Sequence, residues 1–158
     1  MKKLKLYLET TMFNRYVEHG RKYCEETRML FKKISEGRFD AYTSGFVLEE
    51  LEKAPEEKKI KMIALIKDFE ITPLTARNEI RELAAEYLKH GIMPQGSLFD
   101  ALHVACASYY GMDVIVSLNF RHINRFKTKI LTEGVNRSYG YRNVIISDPM
   151  EVIADEEF

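Results

Sequence analysis

The chain has 158 residues and a mass of 18.5 kDa, which fits one domain spanning residues 1–158, because single cores grow to roughly 100–200 residues before they divide. Hydrophobic residues make up 46% of the chain and charged residues 30%, a composition that excludes global disorder. Basic and acidic residues number 24 each, so no whole-molecule basic field attracts a polyanion. Any nucleic-acid binding must therefore use a local basic patch.

The two cysteines, Cys24 and Cys106, form no CxxC motif and no Cys/His cluster with zinc spacing. This usage predicts a reducing, cytoplasmic location. The N-terminus carries too short an apolar run for a secretory signal, and no run approaches the roughly 18 residues that span a bilayer.

Short apolar segments alternate with amphipathic ones, which predicts a parallel sheet covered by helices on both sides. The predicted strands cover residues 4–8, 39–44, 69–72, 113–118 and 143–147. We therefore expect an α/β fold, specifically a three-layer α/β/α sandwich with a central parallel sheet.

Helices are predicted between these strands. A short helix or loop passes through Phe13 and Tyr16, and Gly37 ends the next helix. Towards the C-terminus we expect a glycine-containing loop near Gly134 and Gly140 and an acidic tail after Pro149. The longer predicted helices cover residues 21–35, 45–53, 56–68, 75–89 (with Thr75 as its cap) and the strongly apolar 97–110.

Four oxygen-bearing side chains fall near the predicted carboxyl ends of strands, where open α/β sheets bind ligands. Glu9 follows the first strand and Asn119 the fourth. Glu50 lies beside an apolar helical stripe while its neighbour Glu49 points nearly opposite, so Glu50 needs a partner. Asp100 is the only acidic group in its apolar helix.

Three residues of this set, Glu9, Asp100 and Asn119, also have a structural explanation. Glu9 can be a solvated loop carboxylate, and Asn119 can cap a following helix. Ser97 and Asp100 have the spacing of a capping box. Taken together, however, three carboxylates and an amide suit Mg²⁺ or Mn²⁺, and metal-assisted phosphodiester hydrolysis is the chemistry that such a site performs. The motifs GxGxxG, GxxxxGK[ST], GxSxG and HExxH are absent.

A basic segment follows Asn119 and would suit a phosphodiester substrate. The single acid between residues 119 and 147 is Glu133, and a solvated surface remains the alternative. His122 is a candidate substrate contact, and His103 is predicted to be a hydrogen-bonded core histidine. Tyr139 and Tyr141 could stack on bases, although packing is the alternative. The basic residues are Arg121, Arg125, Lys127, Lys129, Arg137 and Arg142.

The segments LYLETT, TSGFVLEEL, FDALHVACA and VIVSLNFRHI, in this order, resemble the PIN domain family and its VapC-like branch of type II toxin–antitoxin toxins. The resemblance covers almost the whole chain. It implies a flavodoxin-like topology, Mg²⁺- or Mn²⁺-dependent endoribonuclease activity on RNA, a homodimer, and an antitoxin that occludes the site.

The resemblance also assigns roles to individual residues. Glu9, Glu50 and Asp100 match the first three acidic positions and would hold the metal, and Asn119 matches the fourth. Thr10 matches the small hydroxyl residue after the first acid. With Thr10, the residues Arg121, His122 and Arg125 are the predicted substrate contacts.

Two departures from the family pattern carry consequences. Glu9 is one methylene longer than the usual aspartate, and Asn119 lacks the charge of the usual fourth acid. An RNA- or protein-binding module with little catalysis is therefore the alternative function. A third interpretation makes the acidic residues structural caps, in which case Asp100→Asn would leave divalent-metal binding unchanged.

Overall fold

A computed structural model describes residues 2–155, which form five strands and eight helices. No helix within that range combines the length and apolar character needed to cross a bilayer. The strands are β1 (Leu4–Leu8), β2 (Phe39–Ser44), β3 (Thr72–Leu74), β4 (Val114–Val116) and β5 (Ile145–Ser147). The helices are α1 (Thr10–Val17), α2 (Cys24–Ser35), α3 (Gly45–Leu51), α4 (Glu56–Asp68), α5 (Asn78–Lys89), α6 (Leu98–Tyr109), α7 (Phe126–Ser138) and α8 (Pro149–Asp155).

All five strands are parallel, in the order β3-β2-β1-β4-β5. The chain moves outward from β1 through β2 to β3, then returns across the sheet to β4 and β5. Because crossover connections are right-handed, the helices of these two directions cover opposite faces of the sheet. The predicted three-layer α/β/α sandwich is confirmed.

The core follows from the apolar pattern of the strands and of α6. Leu6, Tyr7 and Leu8 of β1 are fully buried in the centre of the sheet. Residues 101–108 of α6 are all buried, since this helix packs between α5 and the sheet. Gly37 follows the C-cap residue of α2 and adopts a φ of +79°, a left-handed conformation that glycine adopts without strain.

The third strand lies later in the chain than predicted. It covers Thr72–Leu74, not residues 69–72, and it includes Pro73. Proline lacks an N–H donor, but β3 is an edge strand with one unpaired side, so this loss is tolerated there. The following helix begins at Asn78, and its N-cap residue is Arg77, so the predicted Thr75 cap is wrong.

The C-terminal region is more helical than predicted. Gly134 lies inside α7 and not in a loop, whereas Gly140 does follow the helix with a φ of +79°. Pro149 begins α8, a first-turn position where proline loses no helical hydrogen bond. The predicted acidic tail falls partly in this helix, and residues 156–158 lie outside the described residues.

Candidate functional site

The candidate site lies where the direction of the chain across the sheet reverses. β1 and β4 are neighbours, with Leu8 opposite Val116, and their connections leave in opposite directions. Glu9 directly follows β1, and Ser117 directly follows β4. This point of an open α/β sheet forms the crevice in which ligands bind.

Glu9 lies at the base of this crevice and is 2% exposed. Its Oε1 caps α1 by accepting from the Thr11 backbone N–H (3.1 Å), and it also accepts from the Thr11 hydroxyl and from the Ser117 hydroxyl (2.9 Å). Burial raises the pKa of the Glu9 carboxyl, and the charge of His103 and these hydrogen bonds offset only part of that rise. The predicted solvated-loop alternative for Glu9 is therefore wrong.

Glu50 extends from α3 towards the same crevice and is held by a chain of hydrogen bonds that runs from the half-buried carboxylate into the core. The Thr10 hydroxyl donates to its Oε1, and His103 Nε2 lies 2.5 Å from the same atom. His103 Nδ1 lies 2.8 Å from the Tyr7 hydroxyl, which is 2.7 Å from the Ser44 hydroxyl. Burial raises the pKa of Glu50, but the hydrogen bond and charge of His103 hold it below its ordinary value. Glu50, and not the exposed Glu49, is therefore the partnered carboxylate.

Asp100 joins the first turn of α6 to the loop after β4. Asn119 Nδ2 donates to Asp100 Oδ1 (3.1 Å), and His122 Nδ1 lies 2.9 Å from Oδ2. The Asn119 side-chain oxygen accepts from the His122 backbone N–H (3.0 Å). Ser97 occupies the N-cap position of α6 without a side-chain capping bond. The capping-box alternative is therefore wrong, and Asp100 makes tertiary contacts instead.

His103 connects these groups electrostatically. Its side chain is 1% exposed, and burial lowers its pKa. The hydrogen bond and charge of Glu50, together with the charges of Glu9 and Asp100, outweigh burial and raise the pKa of His103 above its ordinary value. All three predicted carboxylates thus act on one imidazole, which confirms His103 as a hydrogen-bonded core histidine.

The predicted basic segment does not form one continuous surface. Arg125 donates to the Ile92 carbonyl (2.6 Å) and to the Thr128 hydroxyl (3.0 Å). Arg137 pairs with Glu133, one helical turn away. Arg142 bonds the Gly111 carbonyl and Asp113 near the far end of β4. Within residues 2–155, the members whose side chains form neither an ion pair nor a hydrogen bond are Arg121, Lys127 and Lys129.

Four residues of the network were not singled out by the sequence. Ser117 and Thr11 bind Glu9, while Tyr7 and Ser44 support His103. Tyr7 and Ser44 are polar groups within strands whose neighbours are buried, and such groups need partners. That signal identifies them as candidates, although it does not name the partners.

The donors suit a hard cation. Among residues 2–155 no three Asp, Glu, His or Cys side chains are grouped closely enough to hold a metal ion. The carboxylate chemistry nevertheless fits Mg²⁺ or Mn²⁺. All hydrogen bonds that Glu9 and Glu50 accept within this range fall on Oε1. The Oε2 atom of each therefore keeps its lone pairs for a cation.

This fold, with acidic residues at the crevice, defines the class of protein. Residues 6–127 match the PIN domain family, and the chain belongs to that family. No curated protein matches its sequence.

Solved VapC and VapBC structures share the fold. VapC20 of Mycobacterium tuberculosis, a Sarcin-Ricin loop cleaving toxin, aligns with a TM-score of 0.59 at 14% identity, covering 88% of this chain and 98% of that one. VapBC2 of Rickettsia felis, bound to a DNA fragment from its promoter, gives 0.61 at 14% identity, with coverages of 92% and 98%. DNA-bound VapBC of Salmonella typhimurium gives 0.57 at 17% identity, also covering 92% and 98%.

Proposed function

We propose that this protein is a metal-dependent endoribonuclease and the toxin of a type II toxin–antitoxin pair. The observation that carries the proposal is the set of three carboxylates, Glu9, Glu50 and Asp100, whose charges all act on His103 at the reversal point of a PIN-family sheet. Three separate elements supply these charges. Concentrating anionic groups in a crevice is costly unless a cation compensates them.

Glu9, Glu50 and Asp100 would hold Mg²⁺ or Mn²⁺. Such an ion would supply an activated water and would neutralise charge that develops on the phosphate and on the departing ribose oxygen. His103 is a positioning residue, because its hydrogen bond fixes the Glu50 carboxylate. Asn119 fixes Asp100 in the same way. The proposed substrate contacts are Thr10, Arg121, His122 and Arg125.

The solved relatives support the proposed partners. VapC20 is a Sarcin-Ricin loop cleaving toxin, and two other similar structures are VapBC proteins bound to DNA. We accordingly propose RNA as substrate, a cognate antitoxin that covers the site, a homodimer, and a cytoplasmic location. Residues 1–158 would act as one domain.

The experiment is cleavage of a mixed pool of single-stranded and hairpin RNA in Mn²⁺, in Mg²⁺ and in EDTA. Glu50→Gln should reduce metal-dependent cleavage by about 100-fold or more, since even residues that only support metal ligands contribute about 10–100-fold. Glu49→Gln is the matched control, because the neighbouring carboxylate is exposed and should retain full activity. Equal cleavage by both variants, or cleavage that persists in EDTA, would contradict the proposal.

A catalytically weak binding module is the second candidate, and one observation favours it. Asn119 donates an amide hydrogen to Asp100 and adds no negative charge. Asn119→Asp separates the two functions. A large gain in cleavage would favour the weak binding module, whereas unchanged cleavage would show that the native amide already serves the reaction.

A further inference from the structure

Exposed apolar side chains are concentrated on α7. Among the described residues, Phe126 is the most exposed large hydrophobic side chain, with 79% of its surface accessible. Ile130 and Leu131 follow in the same helix, Tyr139 directly follows the helix, and all three are exposed. No other helix or strand within residues 2–155 carries more than one such side chain. A concentrated apolar patch of this kind marks an interaction surface.

The centre of this patch is open to a close approach. A methyl group added at Gly134 would point into open space, with no contact within 4 Å. Ile130, Leu131 and Tyr139 surround a cavity of about 320 Å³ at Gly134, together with His90 from the end of α5. The helix spans residues 126–138, whereas the match to the PIN family ends at residue 127. The family match therefore assigns this surface no role.

Acidic side chains lie at one end of the patch. Glu79, Glu82 and Glu86 follow one another along one side of α5, at the i, i+3 and i+7 spacing that aligns helical residues. With Tyr139 and Tyr141 they line a groove of about 300 Å³. Within the described part of the chain, Glu79 and Glu82 form no ion pair and no hydrogen bond. Their charges are therefore available to a partner.

Basic side chains lie at the opposite end. Arg125, directly before α7, donates to the Ile92 carbonyl (2.6 Å), so α7 begins beside the segment that follows α5. Lys127 lies on the same side of α7 as Leu131, one turn later, and Lys89 is in the last turn of α5. Neither lysine forms an ion pair or a side-chain hydrogen bond with another residue of the range 2–155.

These residues form a face with a basic end, an apolar middle and an acidic end, which we call the α5–α7 face. Such a face is complementary to itself. A two-fold axis that lies in the plane of the face, midway between the two ends, places each basic end against the acidic end of a second copy and brings the apolar middles together. The members, from the basic to the acidic end, are Lys89, Lys127, Ile130, Leu131, Tyr139, Glu86, Glu82 and Glu79.

We propose that the α5–α7 face binds a second copy of this chain in an isologous two-fold dimer. This inference rests on the homodimer of the proposed function and names its interface, and it does not depend on nuclease activity. Protein interfaces combine an apolar, tyrosine-containing core with a polar rim, as this face does. The three glutamates would repel RNA, and the opposite charges at the two ends favour a second copy over an unrelated protein.

The oligomeric state is measured by sedimentation velocity over a concentration series, in EDTA and without RNA, so that cleavage does not affect the result. The wild type should dimerise. Ile130→Gln should raise the dissociation constant about ten-fold or more, because each dimer carries the change twice at the centre of the interface. Ile60→Gln is the matched control and should leave the dissociation constant unchanged. Ile60 is exposed to a similar degree, 60% against 52%, in α4, which packs against α1 and α3.

Charge reversal tests the two-fold arrangement. The double variant Lys89→Glu/Lys127→Glu makes the basic end acidic, and Glu79→Lys/Glu82→Lys makes the acidic end basic. Each variant by itself brings like charges together and should dimerise about ten-fold or more weakly than the wild type. An equimolar mixture of the two variants should recover the dimer, because both pairs of facing ends then carry opposite charges.

The mixture also controls for folding, since recovery of the dimer shows that both variants are folded. Unchanged melting temperatures would show the same for Ile130→Gln. Added salt should weaken the wild-type dimer and the mixed dimer alike, because exposed charge pairs are screened. A dissociation constant independent of salt would contradict the facing of opposite charges.

The outcomes separate this inference from the proposed function. A wild-type dimer that Ile130→Gln and both double variants leave unchanged would overturn the interface, and the proposed homodimer and nuclease would stand. A wild type that stays monomeric would overturn the interface and the homodimer, and would leave the face to a different protein. A mixture that fails to recover the dimer would overturn the two-fold arrangement. Absence of metal-dependent RNA cleavage would contradict the nuclease and leave the interface intact.

Discussion

Replacing Tyr7 with phenylalanine should destabilise the protein although the substitution removes only one oxygen atom. The Tyr7 side chain is fully buried in β1, and its hydroxyl lies 2.7 Å from the Ser44 hydroxyl and 2.8 Å from His103 Nδ1. Ser44 would keep one partner, the Val47 backbone N–H (3.3 Å). His103 Nδ1 would have none, because the ring is buried and its other nitrogen is engaged with Glu50.

The expected cost is that of one buried polar atom left without a partner. Such a group costs about 1–3 kcal/mol, which we take as about 2 kcal/mol in the free energy of unfolding. For a domain of this size each kcal/mol shifts the melting temperature by about 2–4 °C. Tyr7→Phe should therefore lower the melting temperature by roughly 4–8 °C.

Urea unfolding followed by far-ultraviolet circular dichroism measures this directly. Tyr42→Phe is the matched control, since Tyr42 lies in the neighbouring strand opposite Tyr7 and its hydroxyl makes no hydrogen bond within the described residues. It should change the free energy of unfolding by less than about 0.5 kcal/mol. Equal losses in the two variants would refute the reasoning, because the cost would then not depend on the His103 contact.

Three further predictions concern the metal, one ion-pair cluster and the thiols. Saturating Mg²⁺ or Mn²⁺ should stabilise the wild type, by about 2.7 kcal/mol at 100 times the dissociation constant, and Glu9→Gln should abolish this gain in a thermal-shift assay. Burial raises the pKa of the Glu18 carboxyl, but the opposite effect of Arg21, Arg15 and Lys58 is larger, so the pKa lies below its ordinary value. Ionised Glu18 therefore stabilises the fold at pH values above its unfolded pKa, and this stabilisation is lost as the pH falls through the folded pKa. In urea unfolding, Glu18→Gln should be less stable than the wild type at pH 7 and equally stable in strong acid. A stability deficit that persists in acid would contradict a lowered pKa of Glu18. Both cysteines are buried, and burial raises the pKa of Cys106 to about 12. The native protein should therefore resist Ellman's reagent, and its two thiols should react only in denaturant. Rapid labelling of Cys106 in the native state would contradict its buried position.

Much of the fold could be predicted because local pattern and tertiary position agree. The strand at Leu4–Leu8 and the helix α4 have their predicted bounds, since the strand buries its apolar residues from Leu6 onwards and the helix buries Met62 and Leu65, one turn apart. The predicted and observed secondary structures differ where the tertiary environment outweighs local sequence preference. Pro73 lies in a strand because that strand is at the edge, and Gly134 lies within α7, although the local sequence favours a loop at Gly134.

At the candidate site, the sequence determines the positions of the residues but not their contacts. The sequence by itself determined which oxygen-bearing residues stand at strand ends and at the start of an apolar helix, because these positions depend only on local period and order along the chain. It could not determine their partners. Asp100 had a local capping explanation, yet it bonds Asn119, 19 residues away, and Glu50 bonds His103 across 53 residues. Only the folded sheet brings those segments together, because a buried carboxylate takes whichever donor the tertiary structure places within reach.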